Sequence, residues 1–269
     1  MQTENELKEL VKQKYGEIAL QSKSDNQSSC CGAGGCSTNV YNIMTDDYTN
    51  LEGYDPAADL GLGCGLPTQF AKIKTGDVVI DLGSGAGNDA FIARKEAGET
   101  GHIIGIDFTP AMISLAKANA EKLNYTNVEF RQGDIENMPV EADTADVIVS
   151  NCVLNLVPNK DAVMKEIYRV LKPGAHFSIS DIVLQGSLPE NIQQAAEMYA
   201  GCVSGAIQKQ LYLGLIKANG FDNITIQKEK PIVVPDDILS KYLSAEEIGS
   251  FRTSDSGIFS ITVYAQKPL

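Results

Sequence analysis

Apolar positions change their period along this chain. Leu7, Leu10, Val11, Tyr15 and Ile18 recur every three or four residues, so residues 4–20 read as an amphipathic helix that must lay one face on the rest of the protein. Residues 21–40, QSKSDNQSSCCGAGGCSTNV, drop that periodicity for Ser, Gly and polar groups, the pattern of a loop or linker. From about 70 to 185, short β-branched runs (DVVIDLG, HIIGIDF, VEFRQGD, ADVIVSN, HFSISDI) alternate with helical stretches such as NDAFIARKEAG and PAMISLAKANAEKLN. Alternation of that length predicts an α/β fold: βαβ units, a parallel sheet with helices on both faces, and a ligand edge at the carboxyl ends of the strands. After Ser187 a long helical block, PENIQQAAEMYAGCVSGAIQKQLYLGLIKANGF, precedes two late strands, NITIQKE and GIFSITVYAQK. The block is expected as an insertion capping the ligand edge. The expected organisation is a helix and cysteine-bearing arm over 1–69, a ligand-binding core over 70–185, and a helical insertion with closing strands over 186–269.

With 269 residues, 43% of them hydrophobic, the chain can bury a substantial core without disulfide staples. Its formal net charge of −13 repels phosphate backbones and anionic lipid, and no basic stripe offsets it. Nucleic-acid and membrane partners are therefore set aside in favour of small molecules. The first residues, MQTENELKELVKQ, lack the basic start and apolar block of a signal peptide, and no apolar run reaches the roughly 18 residues that span a bilayer. A cytoplasmic protein is expected, in which six cysteines point to metal, metalloid or redox chemistry rather than to structural bridges.

The strand DVVIDLG runs into GSGAGND, so Gly83, Gly85 and Gly87 form a G-x-G-x-G loop entering a helix, where backbone N–H groups approach a ligand closely. The dinucleotide fingerprint would need glycine where Asn88 stands, and no Gly-Lys-Ser/Thr follows to make a P-loop. Asp107 ends the second strand, placed to accept both ribose hydroxyl protons, and Asp134 after the third strand offers an acceptor to an adenine amino group. Singly, each reads equally as an N-cap or turn residue. Jointly, at successive strand ends, they favour a ligand with a ribose and a base but no second phosphate.

In combination, VVIDLGSGAGND, GIDFT and RQGDIENMP resemble the first motifs of class I S-adenosylmethionine-dependent methyltransferases, over about residues 75–185. The resemblance implies a Rossmann-like, seven-stranded, mostly parallel sheet whose last strand, IFSITVYAQK, is antiparallel. It implies S-adenosyl-L-methionine as cofactor, with Asp81, Gly83, Ser84, Gly85 and Gly87 at the methionine end and Asp107 at the ribose. Phe108 and Met112 would face the adenine, Asp134 and Ile135 would meet its edge, and Asn151 completes the set.

Cys152, in SNCVLNLV, lies just past the fourth strand at the expected ligand edge, and Cys202 lies in the helical insertion beside Gly201. Each fits a functional thiol and a small buried hydrophobe equally well. Cys64 sits between Gly63 and Gly65, which give a thiol freedom and access that a core cysteine does not need. Converging thiolates select a soft centre, yet the usual zinc spacings are absent and the chain has only two histidines, His102 and His176. SNCVLNLVPNK, GCVSGA, LGLGCG and KYGEIALQSKSDNQSSC resemble arsenite S-adenosylmethionine methyltransferases around their functional cysteines, over most of the chain. That resemblance implies Cys152 and Cys202 as principal ligands of trivalent arsenic, the substrate, with Cys64 as third. It also implies that methylation oxidises the arsenic, and that enzyme thiols return it to the trivalent state as an arm thiol closes a transient disulfide on Cys64, to be reduced by thioredoxin or glutathione. Where the family has one arm cysteine this chain has three; Cys31 is taken for the role, with Cys30 and Cys36 left open. Two rival readings stand beside this one. A methyltransferase of a quinone or another small molecule would keep the cysteines as core residues, and a non-enzymatic metalloid-binding protein would have no cofactor affinity.

Overall fold

The aliphatic and β-branched runs form one mixed sheet in a computed structural model that describes residues 4–21, 46–187, 205–233, 236–240, 243–254 and 256–269. Its strands are β1 (Val78–Leu82), β2 (His102–Asp107), β3 (Val128–Gln132), β4 (Ala145–Asn151), β5 (Leu171–Gln185), β6 (Asp222–Ile232) and β7 (Gly257–Gln266). The spatial order is β3-β2-β1-β4-β5-β7-β6. β1 to β5 are mutually parallel, and β7 runs antiparallel to both β5 and β6. The expected class I sheet with an antiparallel last strand is what the chain forms. The order reverses at β1, whose neighbours β2 and β4 diverge beyond it, and in open α/β sheets ligands bind in the crevice at such a point.

Around the sheet lie α1 (Glu4–Ala19), the single turn α2 (Pro67–Phe70), α3 (Asn88–Ala97), α4 (Pro110–Lys122), α5 (Lys160–Val170), α6 (Lys209–Ala218), α7 (Asp236–Leu239) and α8 (Ala245–Thr253). Successive strand residues take opposite faces, as a two-residue period requires. Ile80, Ile104 and Ile148 meet Val163, Met164 and Ile167 of α5 and Ile216 of α6. Val79, Ile103 and Val147 meet Ala90 and Phe91 of α3 and Ala116 of α4 on the other face. Each fully buried side chain of that size contributes about 1.5–3 kcal/mol, so the sheet is held from both sides. β6 and β7 extend the same sheet, so residues beyond 205 share a core with the preceding βαβ units.

The expected amino-terminal helix is α1. Its Val11 is buried against the group holding Cys64 and Cys152, while Ile18 and Ala19 pack towards Leu60, Ala86 and Met112. It lies across the carboxyl ends of the strands. Of the expected helical insertion, α6 is observed, and residues 188–204 lie outside the described residues. No helix among the described residues is long and apolar enough to cross a membrane.

Candidate active site

β1 ends at Leu82 and turns through Gly83, Ser84, Gly85 and Ala86 into Gly87, the N-cap of α3. Gly83, Gly85 and Gly87 have φ values of +65°, +51° and +100°, a region that disfavours side chains. A Cβ on Gly83 would lie 2.4 Å from Val153, and one on Gly87 would lie 2.7 Å from Phe91, whereas Gly85 faces open space. Two of the glycines thus let the loop pack, and the middle one leaves room. That room belongs to a cleft of about 1100 Å³ at the carboxyl edge of β1, β2 and β4.

Asp81, Gly83, Ser84, Gly85, Asp107 and Phe108 all line the cleft, as do Met112, Asp134, Ile135, Asn151 and Cys152. Gly87 does not; it packs beneath the loop against Phe91 and Phe130. Asp107 holds the loop, its Oδ2 accepting the Gly85 N–H at 3.0 Å and its Oδ1 the Thr109 N–H at 2.8 Å. Asp134 accepts from the Glu136 N–H at 2.9 Å and from Lys8 Nζ at 2.7 Å, and Lys8 also pairs with Glu136. Lys8 therefore pins α1 over the cleft at the edge expected for adenine.

The electrostatics of the cleft are one-sided. Asp59, Asp81, Asp89, Asp107 and Asp134 face it, and among the described residues Lys8 is the one cationic side chain there. Burial, then the charges of Asp89 and Asp107, hold the Asp81 carboxyl well above the usual range. Burial pushes Asp89 up to about 6 against hydrogen bonds from Asn151 and Tyr48 that favour its ionised form. Burial likewise raises Asp107. Moreover, Oδ2 of Asp81, Oγ of Ser84 and Oδ1 of Asn88 are buried with no hydrogen-bond partner among the described residues. All three residues line the cleft, where a bound ligand would satisfy them. Acidic walls with unpaired acceptors suit a cationic ligand; a sulfonium beside an α-ammonium group fits them.

At the far wall of the cleft Cys152 is joined to Cys64 by a disulfide, with Cα atoms 5.8 Å apart and a sequence separation of 88. The structure thus brings together two of the thiols expected to converge. It gives Cys64 the partner Cys152, where the resemblance pairs it with an arm thiol. Cys30, Cys31, Cys36 and Cys202 lie outside the described residues. Both cysteines are buried, and Cys152 adopts a left-handed φ of +61°. The histidines are elsewhere: His102 pairs with Glu129, and His176 meets the Ala71 carbonyl, both near the amino ends of their strands. Among the described residues no three His, Cys, Asp or Glu side chains cluster as a metal site.

Sequence reasoning missed Lys8, Tyr48 and Asp89. Tyr48 Oη lies 3.1 Å from Asp89 Oδ2 and 2.9 Å from the Gly65 carbonyl, one of which its proton serves. Asn151 joins this group and reaches the backbone of Cys64, with Cys64 N–H 3.0 Å from its Oδ1. Only Lys8 had a local signal, as the polar flank of an amphipathic helix; the Tyr48–Asp89 contact joins segments 41 residues apart.

Comparison with known proteins agrees with this geometry. Residues 73–220 match the family described as "Methyltransferase domain". An arsenite methyltransferase of Halobacterium salinarum is 36% identical over 98% of this chain and 67% of its own length. Another, from Aquipseudomonas alcaligenes, is 31% identical over 91% of this chain and 69% of its own. The crystal structure of an arsenic(III) S-adenosylmethionine methyltransferase from Chlamydomonas reinhardtii superposes with a TM-score of 0.64 at 31% identity, covering 84% of this chain and 72% of that one.

Proposed function

From the premise that this chain belongs to the arsenite methyltransferase family, we propose that it moves the methyl group of S-adenosyl-L-methionine to trivalent arsenic held by its own thiolates. The observation that carries this reading is Cys152 in the wall of the acidic cleft, joined to Cys64. When bound, S-adenosylmethionine supplies an electrophilic methyl on a sulfonium, which the lone pair of trivalent arsenic accepts without a general base.

The chain's own residues supply placement and charge. Asp81, Ser84 and Asn88, whose unpaired atoms are in the cleft lining, would receive the amino-acid end of the cofactor, and Asp107 and Asp134 would take the ribose and the adenine edge. The acidic lining favours the charged cofactor over the uncharged thioether it becomes. Reduced Cys64 and Cys152, with Cys202 as a further ligand, hold the arsenic, and apolar Leu156 and Phe108 limit water around them. Methylation raises arsenic from the trivalent to the pentavalent state. Two of the thiolates restore it by leaving the arsenic together as a disulfide: two As–S bonds break, one S–S bond forms and two electrons return to the arsenic, and in this reading the Cys64–Cys152 bond is that product. A thiol of the arm, Cys31 in this reading, then attacks Cys64, and glutathione or thioredoxin completes the reduction. A cytoplasmic location, where glutathione and thioredoxin keep thiols reduced, would meet that need.

The test is to incubate the reduced protein with arsenite, methyl-labelled S-adenosylmethionine and glutathione or thioredoxin, and to separate the arsenic species. Label in methylated arsenicals is expected. Cofactor binding with no labelled arsenical would overturn the reading and favour another small-molecule acceptor.

A further inference from the structure

Two consecutive residues at the end of β4 both reach Cys64. Cys152 reaches its sulfur, and Asn151 reaches its backbone: Oδ1 accepts the N–H of Cys64 at 3.0 Å and that of Gly65 at 3.3 Å, while Nδ2 lies 2.9 Å from the Gly65 carbonyl. In a regular strand consecutive side chains point to opposite faces. Here the left-handed φ of Cys152, whose N–H donates to the Ser180 carbonyl at 2.8 Å, breaks that alternation. The surroundings leave Asn151 little freedom. Its Nδ2 also lies 3.1 Å from Asp89 Oδ2 and donates to Tyr48 Oη, both on the cleft wall. A Cβ on Gly63 would stand 2.7 Å from Asn151 Nδ2, so the cysteine loop fits against this amide only because that residue is glycine. On the opposite side Ser260 of β7 donates to the Cys64 carbonyl at 2.6 Å.

We propose that Asn151, braced by Tyr48 and Asp89, is a positioning residue that holds the Cys64 backbone against Cys152, so that the two sulfurs stay within bonding reach when their disulfide is open. Every bond it makes to the cysteine loop is to main chain, so the grip does not depend on the state of either sulfur. The proposal deepens the reading above, resting on Cys64 and Cys152 acting as a pair. It gives Asn151, expected from the resemblance as a cofactor residue, a task on the thiol side of the same wall. Prepaid ordering of this kind raises the effective concentration of one thiol at the other and so favours the closed bond.

The test measures that bond directly and needs no arsenic. In the full chain, with Cys30, Cys31, Cys36 and Cys202 replaced by serine, the Cys64–Cys152 couple is equilibrated with glutathione buffers and read by alkylation and mass spectrometry. Oxidised glutathione takes the two electrons and two protons of the thiols and leaves as two reduced molecules. Asn151→Ala is expected to lower the equilibrium constant for closure about tenfold, a rise of about 30 mV in reduction potential. Tyr48→Phe, which keeps the ring and removes one brace, is expected to lower it two- to fivefold. Melting of the reduced proteins monitors the fold, and if Asn151→Ala does not fold, Tyr48→Phe decides. Closure constants equal to the parent's in the folded variants overturn the proposal. If the unsubstituted chain fails to methylate arsenite while the variants show these shifts, the proposed reaction is overturned and the positioning role stands.

Discussion

Gly85 and Gly87 stand two residues apart in the same loop, and alanine at each should fail in a different way. At Gly87 the φ of +100° disfavours any side chain, and a Cβ would meet Phe91 at 2.7 Å and Phe130 at 2.9 Å. Those rings pack edge to face with centroids 5.9 Å apart and are buried, so neither can swing aside. Left-handed strain of about 1–2 kcal/mol and overpacking of about 1–3 kcal/mol together cost roughly 2–5 kcal/mol. Against a total stability of about 5–15 kcal/mol, melting should fall by roughly 4–20 °C. At Gly85 the strain is similar in kind, but a Cβ meets nothing within 4 Å and projects into the cleft. Gly85→Ala should therefore melt within a few degrees of the parent while losing cofactor. A methyl group intruding on a fitted ligand costs about 1–3 kcal/mol, or roughly 5- to 150-fold in dissociation constant. Thermal melts and calorimetric titration with S-adenosylmethionine separate the two effects. The reasoning is refuted if Gly87→Ala melts like the parent, or if Gly85→Ala binds the cofactor as tightly as the parent.

Other expectations follow from the buried charges and the thiols. Cofactor affinity should weaken as pH falls through about 6, because protonating Asp89 removes a negative charge from the cleft wall; S-adenosylhomocysteine, lacking the sulfonium charge, should weaken less by calorimetry across pH 5–8. Burial raises Asp181 to about 7 from an unfolded value near 3.8, so between these values the unfolded chain binds fewer protons and stability falls as pH rises. The melting advantage of Asp181→Asn should therefore grow from about pH 4 to pH 7 and then level off; a flat difference across that range would contradict it. Cys64→Ser and Cys152→Ser should each abolish arsenite methylation while still binding S-adenosylmethionine, and normal turnover with glutathione in either variant would remove that thiol from the chemistry.

The parallel half of the sheet was legible because its signal is local. β-branched runs of five to seven residues with glycine, aspartate or asparagine at their ends need no distant partner to be recognised as strands. α5 carries a comparable local signal, with Val163, Met164, Ile167 and Val170 buried on one face. The glycine loop and Asp107 were legible for the same reason, since one strand, one turn and one strand end place them. The Cys64–Cys152 bond was not, because it joins residues 88 apart through a fold that must first exist. The same holds for Asn151, read as a cofactor residue from its neighbours in sequence while its amide grips a loop 87 residues earlier. Asp89 stands in the first turn of a helix, where an acid is ordinary; its raised pKa comes from burial, which no local pattern encodes.

β7 lies between β5 and β6, yet it is synthesised after the other six strands. On the ribosome β6 therefore has no neighbour to pair with until β7 emerges. The same late strand supplies Ser260 to the Cys64 carbonyl and Thr262 to Ser180, whose carbonyl holds Cys152. At elongation rates of roughly 5–20 residues per second, the two thiols exist for several seconds before the scaffold that aligns them. Translation order thus makes the alignment of Cys64 with Cys152 one of the last features of the fold to be completed, when β7 joins the sheet.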